Sequence, residues 1–283
     1  MNLQNILSEI ETTDPEVYDK FDTRRNAMKS FAKTSGKIAL ASIPFALGSI
    51  FQKAYGSPTG TSGIIIDTLN FALTLEYLES NFYIKAVASG IIPVGESLNA
   101  LTVIRDHENE HVAFLSTAIT AAGGTPVSFK ATDFDFTAKG NFPGVFTDYG
   151  TLLAVAQTFE DTGVRAYKGQ APNLISNNDY LQAALQIHSV EARHAARLRE
   201  MRKKANLLVP AGVDVKPWIT LNQSGIASPA VQASYDGEES VVQAGVTITN
   251  IGGFPISAKA ASEAFDEPLT KDQVSAIVKP FFN

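Results

Sequence analysis

The sequence carries one pattern of glutamate and histidine residues twice. In each copy a lone glutamate is followed, after about thirty residues, by a Glu-x-x-His motif. The lone glutamates are 84 residues apart, and the corresponding members of the two motifs are 83 residues apart. Such a constant offset indicates a duplicated structural unit. The six residues are Glu76, Glu108, His111, Glu160, Glu191 and His194.

All six residues lie in segments whose apolar residues recur at helical spacing. The pattern predicts helices over about residues 63–88, 97–122, 148–169 and 177–205. Short breaks at Gly90–Pro93 and at Pro172 separate the helices within each pair, whereas residues 124–146 form a long connection rich in aromatics, glycine and proline. One long crossover makes the second and third helices parallel, as in ferritin-like bundles. We therefore predict an all-α, ferritin-like four-helix bundle with one long crossover.

The residue types and their spacing favour a site for two metal ions. Glu and His at positions i and i+3 lie on one helix face, so both can reach the same ion. Each histidine would bind one metal, each lone glutamate would complete one coordination shell, and Glu108 and Glu191 would bridge the two ions. Without metal, four carboxylates facing one another in a core would repel one another and be severely desolvated.

The positions of the turns support this grouping. In an antiparallel pair, residues equally far from the shared turn lie at the same height. The midpoint of Glu76 and Glu108 is residue 92, inside the first turn. The midpoint of Glu160 and Glu191 falls between Ile175 and Ser176, in the second turn. Each pair of glutamates is therefore expected to be level.

This residue set resembles that of the ferritin-like superfamily, and within it the bacterial ferritin-like domain proteins related to plant desiccation-related proteins. The resemblance covers about residues 64–206. It implies an iron–iron or iron–manganese pair that reacts with dioxygen or hydrogen peroxide and a reductant, as an oxidase, peroxidase or ferroxidase. Two alternatives stay open: a structural stress or desiccation-associated envelope protein whose metals only stabilise the bundle, and an iron-storage cage.

Further polar residues lie beside the predicted ligands. Glu79 is either an extra ligand, as in some rubrerythrin-like sites, or a solvated surface glutamate. Tyr83 and Tyr167 each follow a lone glutamate by two helical turns, so they are candidates for hydrogen bonding to the ligands or for electron transfer, and otherwise for core aromatics. The remaining candidates for supporting or extra ligands are His107, His188, Asp106 and Asp161, the two aspartates as partners that orient ligand histidines.

Residues 1–56 have the layout of an export signal. Arg24 and Arg25 precede an apolar stretch from Ile38 to Phe51, and a cut after Gly56 fits the small residues there. The segment resembles a twin-arginine signal, which predicts a periplasmic or exported protein. The stretch is shorter than the roughly 20 residues of a membrane helix, so we expect no stable membrane insertion after export. The alternative is a retained amphipathic arm.

Residues 57–206 then hold the bundle, and residues 207–283 form a C-terminal extension. This extension has strand-like residues over 241–251 and a short helix from the N-cap Thr270 to about Lys279, and we expect Trp218 to pack it onto the bundle. The chain has no cysteine, which excludes iron–sulfur clusters, thiolate zinc sites and cysteine nucleophiles. A net charge of −6 argues against nucleic acid as a partner. A homo-oligomer stays open.

Overall fold

The computed structural model of the protein describes residues 61–283. The predicted export signal at residues 1–56 lies outside the described residues. Four long helices dominate, and the prediction of a four-helix bundle with one long crossover is confirmed. They are α1 (Thr61–Ala88), α2 (Glu96–Ala121), α3 (Tyr149–Gln170) and α4 (Asn178–Ala205).

The bundle consists of two helical hairpins. α1 packs mainly against α2, and α3 packs mainly against α4, while α1 also contacts α3. Gly90, in the first turn, has φ +76°, a conformation that glycine adopts without steric cost. The side chain of Asn177 caps α4 by accepting hydrogen bonds from two backbone amides, and Asp148 caps α3 in the same way through one. Local sequence therefore sets the ends of these helices.

The long crossover packs its aromatic side chains onto α1. Phe134, Phe136 and Phe142 are buried, and the ring of Phe136 meets that of Phe82 edge-on with centroids 5.7 Å apart. Burying one such side chain contributes about 1.5–3 kcal/mol relative to leaving it exposed. The crossover is thus part of the core, and a single turn of 3₁₀-helix, Ala131–Asp133, interrupts it.

The C-terminal extension has little regular structure. Its strands β1 (Val242–Gln243) and β2 (Val246–Thr247) form a small antiparallel ladder in which Val242 pairs with Thr247. The predicted short helix is present, with Thr270 as its N-cap. The remaining elements are α5 (Ala258–Ser262), α6 (Lys271–Val278) and the 3₁₀-helices Pro229–Ser234, Ile251–Gly253 and Lys279–Phe281.

The extension covers the side of α3 that faces away from the other helices, so most of α3 is buried. The buried Arg165 of α3 donates hydrogen bonds to the backbone carbonyls of Ser234, Asp236 and Glu267 and lies 2.7 Å from the carboxylate of Glu238. Trp218 remains 48% exposed, so the expectation that it anchors the extension was wrong. A buried guanidinium needs many acceptors, and backbone carbonyls of the extension supply them.

The helices of residues 61–283 include none that combines the length and the apolar character needed to cross a membrane.

Candidate metal centre

The bundle brings the six predicted ligand residues together at its mid-height. The four glutamates are completely buried, and the side chains of His111 and His194 are only 12% and 6% exposed. Their ligand atoms form two overlapping groups, and within each group all of these atoms lie within 4.8 Å of one another. One group contains Glu76, Glu108, His111 and Glu191, and the other contains Glu108, Glu160, Glu191 and His194.

The two histidines face the carboxylates through the same ring nitrogen. Nδ1 of His111 lies 3.2 Å from Glu76, 3.1 Å from Glu108 and 3.2 Å from Glu191. Nδ1 of His194 lies 3.0 Å from Glu108, 3.0 Å from Glu160 and 3.8 Å from Glu191. Each histidine thus meets both shared glutamates and the lone glutamate of its own hairpin.

Glu108 and Glu191 have the positions of bridging ligands, because each belongs to both groups. Oε2 of Glu108 faces His111 and Oε1 faces His194; Glu191 divides its oxygens between the same two rings. Oε1 of Glu108 and both oxygens of Glu191 are buried and accept no hydrogen bond. Buried oxygens without donors are costly, and a cation between them would satisfy them. The donor set therefore fits metal ions.

The electrostatics of the cluster support the same conclusion. Burial, together with the charge of Glu160, raises the pKa of Glu108 to about 7. Burial and the nearby Glu191 raise the pKa of Glu160 to about 8, although His194 opposes this shift. Burial lowers the pKa of His111, but the surrounding carboxylates outweigh it and the pKa rises overall. Without metal, protons therefore take the place of cations.

Two tyrosines bind the lone glutamates across the bundle. The hydroxyl of Tyr83 on α1 donates to Oε1 of Glu160 on α3 at 2.5 Å. The hydroxyl of Tyr167 on α3 donates to Oε1 of Glu76 on α1. Both tyrosines are buried, and burial with the adjacent carboxylate raises their pKa values well above the usual range. The predicted contact between each tyrosine and a ligand is therefore present, but with the ligand of the opposite repeat.

Glu79 is buried beside the ligand cluster and is not a solvated surface residue. Its counterpart in the second repeat is Gly163, and a Cβ there would lie 3.4 Å from Oε1 of Glu79 and 3.6 Å from Oε2 of Glu191. The missing side chain leaves room for the Glu79 carboxylate. Burial and the charge of Glu191 raise the pKa of Glu79 well above its usual range. Glu79 thus stands next to the cluster as a fifth carboxylate.

The two other histidines occupy different surroundings. Nδ1 of His107 lies 2.9 Å from Nε2 of His194, and the two rings stack. A metal ion held by Nδ1 of His194 would leave the proton on Nε2, which could then donate to His107, so this geometry suits the predicted supporting position of His107. Nδ1 of His188 instead donates to the carbonyl oxygen of Val164 at 2.9 Å. His188 therefore ties α4 to α3, and its prediction as a supporting or extra ligand is corrected.

The two aspartates do not orient the ligand histidines, which corrects that prediction. Asp106 is exposed and accepts hydrogen bonds from Arg105. Asp161 is buried, but its carboxylate lies 2.5 Å from Arg199 and accepts a hydrogen bond from Tyr235 at 2.7 Å. Asp161 follows Glu160 directly, and successive helical residues point about 100° apart. It therefore faces the extension while Glu160 faces the other candidate ligands.

A buried polar network behind α3 went unrecognised in the sequence. Arg202 is completely buried and donates to Gln157 at 2.5 Å and to the backbone carbonyls of Leu208 and Gly225. The basic residues near the end of α4 suit the helix dipole. That general explanation gave no reason to expect that Arg202 is buried. Gln157 and Asp161, four residues apart in the middle of α3, were the available signal.

Comparison with known proteins agrees with the fold. A family model described as a ferritin-like domain matches residues 65–204, a segment that runs from α1 to α4 and contains all six ligand residues. No match was found among curated protein sequences. On the helical bundle and the matched segment, residues 65–204 form a domain of the ferritin-like superfamily.

Proposed function

We propose that the chain is a di-metal carboxylate oxidoreductase that holds two ions, iron–iron or iron–manganese, and reacts with dioxygen or hydrogen peroxide. The observation that carries the proposal is the pair of overlapping ligand groups, in which Glu108 and Glu191 serve both. Its activity would be that of an oxidase, peroxidase or ferroxidase in iron handling or oxidative stress. Its partners would be the oxidant and a reductant.

The ligand chemistry supports redox-active ions. Carboxylate oxygen and imidazole nitrogen suit iron and manganese, and the four glutamates would offset the positive charge of two divalent ions. Bound at this site, such ions would supply electrons to the oxidant. The chain's own residues would hold the ions in place, exclude bulk water and keep protons close by, on the hydroxyls of Tyr83 and Tyr167. These hydroxyls also offer a path for electrons or protons between α1 and α3.

A surface groove between α2 and α4 supports a route for the reductant. The groove has a volume of about 410 Å³, and its walls include Val103, Ile104 and Arg193. His107 and His194 line it as well, and the two rings are in hydrogen-bond contact. Electrons from a small reductant would therefore enter most directly through these two imidazoles.

Metal counting tests the proposed site. Protein purified from its native compartment should contain two ions per chain, and His111→Ala and His194→Ala should each lower the content. His188→Ala is the matched control, because His188 donates to a backbone carbonyl instead of facing the carboxylates. A metal content that the first two substitutions leave unchanged would contradict the proposal.

Reactivity separates this proposal from the structural alternative. That alternative is a stress or desiccation-associated envelope protein whose metals only relieve the repulsion among buried carboxylates. Iron-loaded protein that is kept anaerobic until measured amounts of dioxygen or peroxide are added should change its optical spectrum, and it should consume the oxidant. A full metal complement with no spectral change and no consumption of either oxidant would favour the structural role.

Export through the twin-arginine route is proposed as well, on the support of Arg24, Arg25 and the following apolar stretch. The metal ions would then be bound before the folded chain crosses the membrane. Replacing both arginines by lysine should retain the protein in the cytoplasm, whereas Lys20→Gln, which removes a nearby positive charge, should not. Unchanged fractionation of the double variant would exclude this route.

A further inference from the structure

An apolar cavity lies between the four helices near the turn that joins α3 and α4. Side chains from all four helices form its walls, and its volume is about 20 Å³. Leu69 and Phe71 come from α1, Leu115 from α2, and Ala184 from α4. Within the proposed function this cavity has no assigned role.

The walls of this cavity offer almost nothing to a hydrogen-bonding guest. Three of the polar side chains that line it engage other partners. Tyr167 donates to Glu76, Tyr180 donates to the carbonyl oxygen of Ala118 at 3.4 Å, and Gln170 accepts from Asn173 at 3.0 Å. A buried water needs two to four polar partners, whereas a cavity lined by carbon stays dry and takes apolar guests such as xenon. Water and hydrogen peroxide are therefore poor guests for this cavity, and a small apolar molecule is a good one.

The cavity adjoins the metal centre in two ways. Tyr167 forms part of its wall and donates its hydroxyl proton to the ligand Glu76. Leu75 separates it from a second, smaller cavity of about 10 Å³, which Glu79 and Gly163 line next to the ligands. The C-terminal extension closes this smaller cavity with Val278 of α6. The two cavities thus lie on either side of Leu75, and the smaller one reaches Glu79 beside the carboxylate cluster.

We propose that the apolar cavity is a binding site for dioxygen, which it supplies to the metal centre past Leu75. Dioxygen is apolar and diatomic, so it matches both the chemistry and the size of this space. The inference rests on the proposed function, since it decides which of the two oxidants the interior of the bundle admits. Hydrogen peroxide, which is polar, would have to reach the site by the groove between α2 and α4.

Xenon identifies such a cavity without any reaction. Crystals of the full-length, metal-loaded protein under xenon pressure should show xenon density among Leu69, Phe71 and Ala184. Ala184→Leu should fill the space and abolish that density. Gln182→Leu is the control, because it adds the same side chain at an exposed position of α4. Ordered water in the cavity of the native protein, or no xenon there, would overturn the proposal.

Kinetics of the two oxidants complete the test. Ala184→Leu should keep its metal content and its rate with hydrogen peroxide, and it should react several-fold more slowly with dioxygen. Equal dioxygen rates in Ala184→Leu and the native protein would overturn the cavity proposal while the proposed function stands. Native protein that binds xenon but reacts with neither oxidant would instead overturn the proposed function. Should Ala184→Leu fail to fold, xenon density in the native crystals still decides whether the cavity takes an apolar guest.

Discussion

The hydroxyl of Tyr83 on α1 donates to Glu160 on α3 at 2.5 Å, and Tyr167 on α3 makes the same contact with Glu76 on α1. Each repeat thus supplies the tyrosine for the ligand of the other. The exchange joins the two hairpins through buried hydrogen bonds to carboxylates, which are stronger than those between neutral groups.

Removing either hydroxyl should destabilise the metal-loaded protein to a similar extent. Tyr83→Phe or Tyr167→Phe leaves one buried carboxylate oxygen without its donor, which costs about 1–3 kcal/mol of unfolding free energy. Chemical denaturation of the loaded protein measures this. Tyr77→Phe is the control on α1, because Tyr77 is only half-buried and packs against Phe129 with ring centroids 6.0 Å apart. A loss confined to one of the two tyrosines would contradict their equivalence.

Glu79→Gln should stabilise the metal-free protein, most clearly at alkaline pH. The substitution keeps the shape of the side chain and removes a buried carboxyl group whose ionisation is opposed by burial and by the neighbouring glutamates. Thermal melting of the metal-free variant and the native protein at several pH values measures the difference. If the variant is less stable at every pH, Glu79 makes a favourable interaction in its charged form, and this prediction fails.

The metal-free protein should lose stability as pH rises from about 4.5 to about 8. Folding raises the pKa of Glu108 from 4.5 to about 7 and that of Glu160 from 4.5 to about 8. In this interval the folded state binds more protons than the unfolded state, so the unfolding free energy falls with rising pH. The raised pKa values of His111 and His194 act in the same direction above their ordinary value of 6.5.

Metal binding should reverse this dependence. Because metal ions displace the protons held by these groups, affinity should increase with pH and binding should release protons. Calorimetric titration in buffers of different ionisation enthalpy counts the protons released. An apparent affinity that does not change across this interval would contradict the displacement of protons.

Gly169→Ala should detach the C-terminal extension. A Cβ at this position would lie 1.9 Å from the carbonyl oxygen of Leu269, whose own amide donates to the carbonyl of Arg165 at 3.1 Å. The backbone must move to relieve such a contact. The loss of unfolding free energy should therefore exceed the roughly 0.5–3 kcal/mol that most substitutions cost. Limited proteolysis should then cut within residues 207–283. Gly63→Ala in α1, where a Cβ meets nothing within 4 Å, should be neutral or slightly stabilising.

Asp161→Ala should destabilise the fold without changing the metal content. It leaves the buried guanidinium of Arg199 without the carboxylate that lies 2.5 Å away, and breaking a buried pair in this way costs about 3–5 kcal/mol. Denaturation and metal counting on the same samples separate the two effects. Asp106→Ala, at an exposed position, should change neither quantity. Metal loss in folded Asp161→Ala protein would restore this residue to a role beside the ligands.

The candidate metal ligands that share a face of one helix were predictable from sequence. Glu108 and His111 share a face because of helical periodicity, and the offset between the repeats placed Glu191 and His194 in the same relation. The position of the turns then predicted the common height of the four glutamates. Each of these inferences needs only the rise and the period of a helix, which vary little from one protein to another.

The direction of neighbouring side chains was much less predictable. Asp161 and His188 lie close to ligands in the sequence, yet one binds Arg199 and the other binds a backbone carbonyl. His188 lies three residues before Glu191, on the ligand side of α4, but it meets the backbone of α3. Asp161 instead sits on a face of α3 that the ligands do not use. What occupies that face depends on segments distant in the sequence, and periodicity does not contain this information.

By itself, the sequence determined the four helices, their crossover and the six ligand residues, because helix geometry and a duplicated motif are local properties. Only the tertiary structure decided that Tyr83 and Tyr167 exchange partners across the bundle, that Glu79 occupies the space left by Gly163, and that the extension buries α3. Those features depend on contacts between residues far apart in the chain, where packing and the demand of buried charges for partners select one arrangement among many.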